Sequence, residues 1–349
     1  MKIKILFTGG TIGSKVGNDG YISLDKQNPY KLLDMYQKSR QKNAQTFDVE
    51  EPFCILSENM NEEYLNRLIL CIQKILEESE IEGIIITHGT DTLPYTAAVL
   101  SYIFGTECIP IVLVSSDFPL EDDRANGLVN FKYAVDFIQN GYGKGVFACY
   151  CNQEEFPLIH RGTRLLENVP YTAFVRSVKD SYYGKYKGNQ YEKNSAYHSD
   201  CSSDCSSDCN SGIVSDKKCY KHMDIKEYEL CKNTGEIMWL HSCVGMYYPD
   251  ITEKTKAVLH DSYHSGTICI SEGLKEFMNQ AKIHKVPVFV TGIAGDEKNY
   301  ETIKEYQNLG IRILSGISPV AAYCKLWLAL SNKLNIEQVM ESCIAEDIC

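Results

Sequence analysis

Two threonine-bearing turns hold the residues best suited to chemistry in this chain: Thr8-Gly9-Gly10-Thr11-Ile12-Gly13 and Thr87-His88-Gly89-Thr90-Asp91-Thr92. A threonine hydroxyl is a weak nucleophile at neutral pH and becomes effective only beside a base or charge that helps remove its proton. The first turn sets Thr11 among glycines, which let backbone N–H groups approach a bound group closely. The second sets the carboxyl of Asp91 directly after Thr90, at the start of an apolar helix pattern whose N-terminal N–H groups favour an anion or a developing oxyanion. Each turn also has a plain structural reading. The first is then a tight turn without a ligand, Asp91 a helix cap, and His88 a buried histidine with satisfied hydrogen bonds. Read as a phosphate cradle, the first turn lacks the spacing of a dinucleotide fingerprint and the Lys-Ser/Thr ending of a P-loop. Nucleotide binding there is not expected.

The hydrophobic pattern supplies the elements that position these turns. Short apolar runs before Thr8 and over Gly83 to Thr87 read as strands that end where the turns begin. Ligands in an open α/β sheet bind at the carboxyl ends of the strands, so both turns are expected on one crevice. Asn61 caps a helix with Glu62 and Glu63 in its first turn and an inward stripe of Leu65, Leu68, Ile69, Ile72, Ile75 and Leu76. A helix from Leu93 to about Phe104, a strand over Ile109 to Ser115, a helix near Asn126 to Gln139 and a strand over Gly145 to Cys151 continue the alternation. Such alternation predicts a largely parallel sheet covered on both faces.

The pattern breaks between about Lys179 and Lys221, where Ser199 to Cys209 repeats as SDCSSDCSSDC. It resumes with strands near Ile237 to Leu240, Lys256 to His260, Val286 to Thr291 and Ile311 to Leu314, and Ser318-Pro319 opens the helix that runs through Leu330. At 349 residues the chain exceeds the size at which one hydrophobic core stops growing, about 250 to 300 residues. The reading is an α/β protein with a larger N-terminal doubly wound, mostly parallel sheet domain over residues 1–178. A linker with a Ser/Asp/Cys-rich low-complexity insertion covers 179–235, and a smaller C-terminal α/β domain covers 236–349.

Composition excludes several function classes. A net charge of -11 argues against nucleic acid, because phosphate binding depends on Lys and Arg releasing counterions. No run reaches the ~20 apolar residues of a membrane-spanning helix, and the start reads as a first strand rather than an export signal. A small-molecule ligand and a cytoplasmic location are expected. The 15 cysteines are odd in number and several, including Cys71, Cys108 and Cys324, fall within apolar element patterns, so reduced buried thiols are expected. Cys201, Cys205, Cys209 and Cys219 with His198 and His222 lack the Cys-x-x-Cys spacing of a structural zinc site, and no metal or cofactor is expected.

The two turns together, TGGTIGS and ITHGTDT, resemble the paired signatures of the L-asparaginase family. The resemblance extends to Gly20-Tyr21-Ile22, which is similar to the cytoplasmic type, and to Ser57-Glu58-Asn59-Met60, Pro94-Tyr95-Thr96-Ala97-Ala98 and Ser318-Pro319-Val320-Ala321-Ala322. It implies hydrolysis of a small amide through a covalent acyl-threonine, with Thr11 as nucleophile and Tyr21, on a lid segment, helping to activate it. It further implies that Thr90 and Asp91 position the water or amide and bind the substrate's amino group, and that Ser57 holds its carboxylate. Gly10, Glu58 and Gly89 complete the implied substrate pocket, and a homodimer or homotetramer is the implied assembly.

The chain departs from the family at two places. The family lysine that joins the second threonine and its aspartate falls on Glu167 when Arg161-Gly162 and Arg164 are aligned, and on Leu165 when counted back from Ala173-Phe174. Arg164, Glu167 and Lys179 are the candidates to replace it; a guanidinium supplies charge but no base, and a carboxylate beside Asp91 repels it. At Tyr263-His264-Ser265-Gly266-Thr267, Thr267 stands where the family carries an asparagine. A member that has lost catalysis and binds amino acids or small amides is the alternative reading, and the amide-hydrolysing half of an amidotransferase is a third.

Overall fold

The computed structural model describes residues 2–17, 19–25, 30–39, 47–78, 80–199, 219–225, 229–294 and 300–349. The Cys201 to Cys209 repeat lies outside the described residues. A first group of elements comprises β1 (Ile3–Phe7), β2 (Ser14–Val16), β3 (Ile22–Leu24), α1 (Lys31–Ser39), β4 (Asp48–Glu50), α2 (Glu62–Glu78), β5 (Gly83–Thr87), α3 (Leu93–Phe104), β6 (Ile111–Val114), α4 (Gly127–Gln139) and β7 (Val146–Tyr150). There follow β8 (Leu158–Arg161), β9 (Gly184–Lys187), β10 (Gln190–Lys193) and the short β11 (Cys219–Tyr220). The last group is β12 (Ile237–His241), β13 (Ala257–Asp261), α5 (Glu272–His284), β14 (Val288–Ile293), α6 (Thr302–Leu309), β15 (Arg312–Ser315), α7 (Pro319–Ser331), α8 (Ile336–Glu341) and β16 (Cys343–Ile344).

An eight-stranded sheet runs in the order β10-β9-β8-β7-β6-β5-β1-β4, and a four-stranded sheet in the order β12-β13-β14-β15. The smaller sheet is parallel throughout, as are the pairs from β4 to β7. From β7 to β10 the larger sheet turns antiparallel, so the mostly parallel sheet that was expected carries an antiparallel end. The hairpin of β9 and β10 also carries the sheet to Lys193, within the stretch read as linker. Its signal is weak because Tyr186 and Tyr191 alternate with lysines and glutamate, so only one face is apolar.

Burial follows the two-sided logic of a covered sheet. Leu6, Ile84 and Ile86 pack with α2, α3 and α7, while Ile3, Ile5 and Ile85 pack toward α1 and α4 on the opposite face. The first of these cores also takes in Leu259 and Phe289 of the smaller sheet, so one continuous apolar cluster joins the two sheets. Ser318 caps α7 by accepting from the Ala321 N–H, and Asn61 accepts from the Tyr64 N–H at 3.1 Å. Asn126, at the start of α4, makes no side-chain cap there; its side chain accepts from the Asp117 N–H and donates to the Cys151 carbonyl, joining two loops. Cys71, Cys108 and Cys324, expected as reduced thiols within apolar elements, are free thiols, with Cys324 buried and the other two half-buried. Among the described residues no helix is long and apolar enough to cross a membrane.

Candidate active site

The chain passes from β1 to β4 on one side of the sheet and then back to β5 on the other side, so β1 lies at a topological switch point. The loops leaving β1, β4 and β5 therefore meet at one carboxyl edge. Phe7 stands opposite Thr87 in register, and the two turns begin side by side. They are laced together at once: the Thr8 hydroxyl donates to the Thr87 carbonyl at 2.5 Å, and the Thr8 N–H donates to Thr87 Oγ1 at 3.2 Å. Gly10 then donates its N–H to the Ile55 carbonyl at 2.9 Å, which brings in the loop that carries Ser57.

Glycine is required where the three loops interlock. Gly10 has φ 77°, and a Cβ there would lie 2.3 Å from the Gly89 nitrogen. A Cβ on Gly89 would lie 2.4 Å from Ser57 Oγ and 3.3 Å from the Gly10 Cα. These backbones touch without side chains between them. Thr11 opens the short 3-10 turn Thr11–Gly13, held by bonds from the Gly13 N–H and the Ser14 hydroxyl to the Gly10 carbonyl. Thr11 is half-buried.

Ser57 is buried, donates its hydroxyl to Asp91 Oδ2 at 2.9 Å, and accepts the Thr92 hydroxyl on its carbonyl at 2.9 Å. Asp91 itself is exposed and makes no side-chain cap on α3, so its carboxylate is tied to the Ser57 loop rather than to the helix start. Glu58, next to Ser57, is exposed. The structure thus brings Gly10, Thr11, Ser57, Gly89, Thr90 and Asp91 to one crevice. Tyr21 is different. It sits at the turn between β2 and β3, 76% exposed, with Val16 and Ile22 also exposed on that hairpin, so the structure does not bury its ring against Thr11.

His88 is a satisfied buried histidine. Its Nδ1 meets the Gly89 carbonyl at 2.7 Å and its Nε2 meets the Thr96 hydroxyl at 2.9 Å, which fits a neutral ring donating from Nδ1 and accepting at Nε2. Burial drives its pKa down to about 4, so it carries no charge at neutral pH.

None of the three candidates replaces a lysine beside Asp91. Arg164 is buried and spends its guanidinium on the carbonyls of Glu346, His198 and Ile348 while stacking over Tyr197. Glu167 accepts the Tyr95 hydroxyl at 2.9 Å. Lys179 is exposed on a left-handed residue. Among the described residues no salt bridge reaches Asp91. The contact that does reach this turn comes from a residue not singled out in the sequence. Asn168 donates its side-chain amide to the Thr90 carbonyl at 3.0 Å, leaving its buried Oδ1 without a partner. Its segment is pinned by the bridge of Leu165 with Ser177, the Leu166 N–H to the Arg176 carbonyl, and the Ser318 hydroxyl to the Leu165 carbonyl. One cue was its place immediately after Glu167. Thr267 shares a hydrogen bond with Ser265 in the loop after β13.

The profile of the family described as "Asparaginase, N-terminal" matches residues 2–197, more than half of the chain. Solved structures of similar fold include the thermostable L-asparaginase from Thermococcus kodakarensis, with a TM-score of 0.73 and 21% identity over 100% of this chain and 99% of that one. L-asparaginase I from Vibrio cholerae gives a TM-score of 0.71 at 21% identity, again over 100% and 99%. These likenesses are of fold. A curated relative, a glutamyl-tRNA(Gln) amidotransferase component from Sulfolobus acidocaldarius, is 32% identical over 173 residues, 47% of this chain but only 36% of its own length. With its signature turns meeting at the switch point of the larger sheet and its profile match across that sheet, this chain belongs to the asparaginase family.

Proposed function

We propose that this protein hydrolyses L-asparagine or a related small amide to the acid and ammonia through an acyl-threonine on Thr11. The observation that supports the reading best is the close contact of Gly10, Gly89 and Ser57, beside which lie Thr11, next in sequence to Gly10, and the Ser57–Asp91 pair. In the reaction the Thr11 oxygen attacks the amide carbon, its proton passes toward the departing nitrogen, and the C–N bond breaks to give ammonia and the ester. Water then adds to the ester carbon and the C–O bond breaks, which restores the Thr11 hydroxyl and releases the carboxylate. Closure of the β2–β3 hairpin brings Tyr21 over Thr11 to assist the first proton transfer, a role consistent with its exposure in the open crevice.

Substrate binding uses the Ser57–Asp91 bond as a switch. The Ser57 hydroxyl has one proton, which it donates to the Asp91 carboxylate. An arriving α-carboxylate takes that hydrogen bond, and Asp91 is released to pair with the substrate's ammonium. Gly10, Glu58 and Gly89 line the same pocket, and Thr90 orients the attacking water. Asn168, by fixing the Thr90 carbonyl, keeps that turn in place without a cation. We expect a homodimer or homotetramer as the working assembly.

Ammonia release from asparagine, glutamine and other small amides, compared between wild type and Thr11→Ala, tests the reading. Turnover by the wild type alone supports it, and equal background rates for both oppose it. The second reading, a binding protein without turnover, is favoured by one observation, the occupation of Glu167 by Tyr95 in place of a cation at Asp91. Thermal stabilisation by these amides without ammonia release selects it. The glutamyl-tRNA(Gln) amidotransferase components among the curated relatives make glutamine the comparison of most interest in the panel.

A further inference from the structure

Away from the crevice, the antiparallel part of the larger sheet opens a cavity of about 340 Å³ between the loop that joins β7 to β8 and the start of β9. That volume lies within the range of small-molecule sites. Its wall includes Glu154, Glu155, His160, Arg176, Asp180 and Lys185, and no residue of the three crevice loops. The polar groups fall into two sets. Arg176 and Glu155 satisfy each other through a two-pronged pair at 2.7 and 2.5 Å, which leaves them as framework.

The other set is open to a ligand. Among the described residues the Glu154 and Asp180 carboxylates have no hydrogen-bond or salt-bridge partner, and Lys185 lies 4.0 Å from a Glu192 oxygen that sits closer to Lys187, at 3.0 Å. His160 is 1% exposed. Its Nδ1 meets the Ser177 hydroxyl at 2.8 Å, and Ser177 also lines the cavity. The opposite nitrogen, Nε2, is buried with no partner. A buried polar atom left unpaired costs about 1 to 3 kcal/mol, so a group that reaches it gains from the contact. Burial and the neighbouring Arg176 lower the His160 pKa to about 3 and keep the ring neutral. Nε2 then accepts or donates according to which way the Ser177 proton points, and a hydroxyl serves either state.

We infer that this cavity is a second ligand site, which takes a small zwitterionic α-amino acid bearing a hydroxyl. Its ammonium is held by Asp180 and Glu154, its carboxylate by Lys185, and its hydroxyl by His160 Nε2. Opposite charges in one lining, an already paired Arg176, and a buried neutral ring nitrogen without a partner select a zwitterion over a simple cation or anion.

Calorimetric titration of the whole chain with L-serine, ethanolamine and 3-hydroxypropionate tests this, and it reads binding rather than turnover, so it stands apart from the amide-hydrolysis reading. L-serine is expected to bind, and each compound that lacks one charge is expected to bind about tenfold more weakly or worse. Lys185→Met and Asp180→Asn, both at the cavity rim and outside the crevice, are expected to weaken L-serine by about tenfold while ammonia release from asparagine stays at the wild-type rate. The absence of heat with L-serine overturns the assignment. So does L-serine binding that both variants leave unchanged, which locates it elsewhere, or ethanolamine binding as tightly as L-serine, which shows that no carboxylate is read.

Discussion

Two residues show how little of the site's chemistry resides in its most eye-catching side chains. His88 stands between two catalytic-looking neighbours, yet both ring nitrogens are engaged and the ring is neutral. Its effect is on stability. In the unfolded chain a histidine takes up its proton below about pH 6.5, whereas folded His88 resists it down to about 4. Acid therefore favours the unfolded state across that window, and the stability present above pH 6.5 falls by roughly 3 kcal/mol as the pH drops through it. Urea titrations between pH 7 and 4 are expected to show this loss, and His88→Gln to reduce its slope. Asn168 acts the other way, as an inconspicuous residue on which the second turn depends. Asn168→Leu keeps the size but removes the donor to the Thr90 carbonyl. We expect kcat/KM for the amide to fall about tenfold to a hundredfold, since small displacements of positioning groups have effects of that size. The loss of stability should be only about 1 kcal/mol.

The elements were legible in the sequence wherever hydrophobic period and end signals agreed. Leu93–Phe104 is the helix that the apolar run after Asp91 required, and Ser318 caps α7 as its Ser-Pro pair indicated. The antiparallel end of the larger sheet was not legible, because strand direction depends on pairing rather than on composition. The same limit hid Asn168, whose value comes from a contact made across the fold. The need for glycine at the loop junction was half visible: the sequence signalled a turn at Gly10, while only the structure shows the Gly89 backbone against it. Gly10→Ala adds a Cβ 2.3 Å from that backbone at a left-handed φ. Its cost is expected at roughly 2 to 4 kcal/mol, read as a lower urea midpoint, together with loss of any turnover.

At the scale of the molecule, the two sheets are joined by one apolar cluster and by the segment from Ser342 to Cys349. That segment returns to the larger sheet's Arg161–Arg164 stretch, where Thr163 and Arg164 donate to its carbonyls. Its anchor is Asp347, fully buried, paired with Lys325 of α7 at 2.7 Å and accepting the Tyr102 hydroxyl of α3 at 2.9 Å. Removing one partner of such a pair leaves a buried charge without compensation, so Lys325→Met is expected to cost about 3 to 5 kcal/mol in urea unfolding. The segment thus braces the stretch that leads to Asn168, and through it the turn that faces Thr11. The account as a whole depends on Thr11 forming a covalent bond to substrate, and acid-quenched intact-mass spectrometry of the protein during turnover of asparagine tests that most directly. The account predicts a mass gain of one aspartyl group, mapped to Thr11 and absent from Thr11→Ala. Ammonia release with no adduct on the wild type, or an adduct that persists in Thr11→Ala, would contradict it.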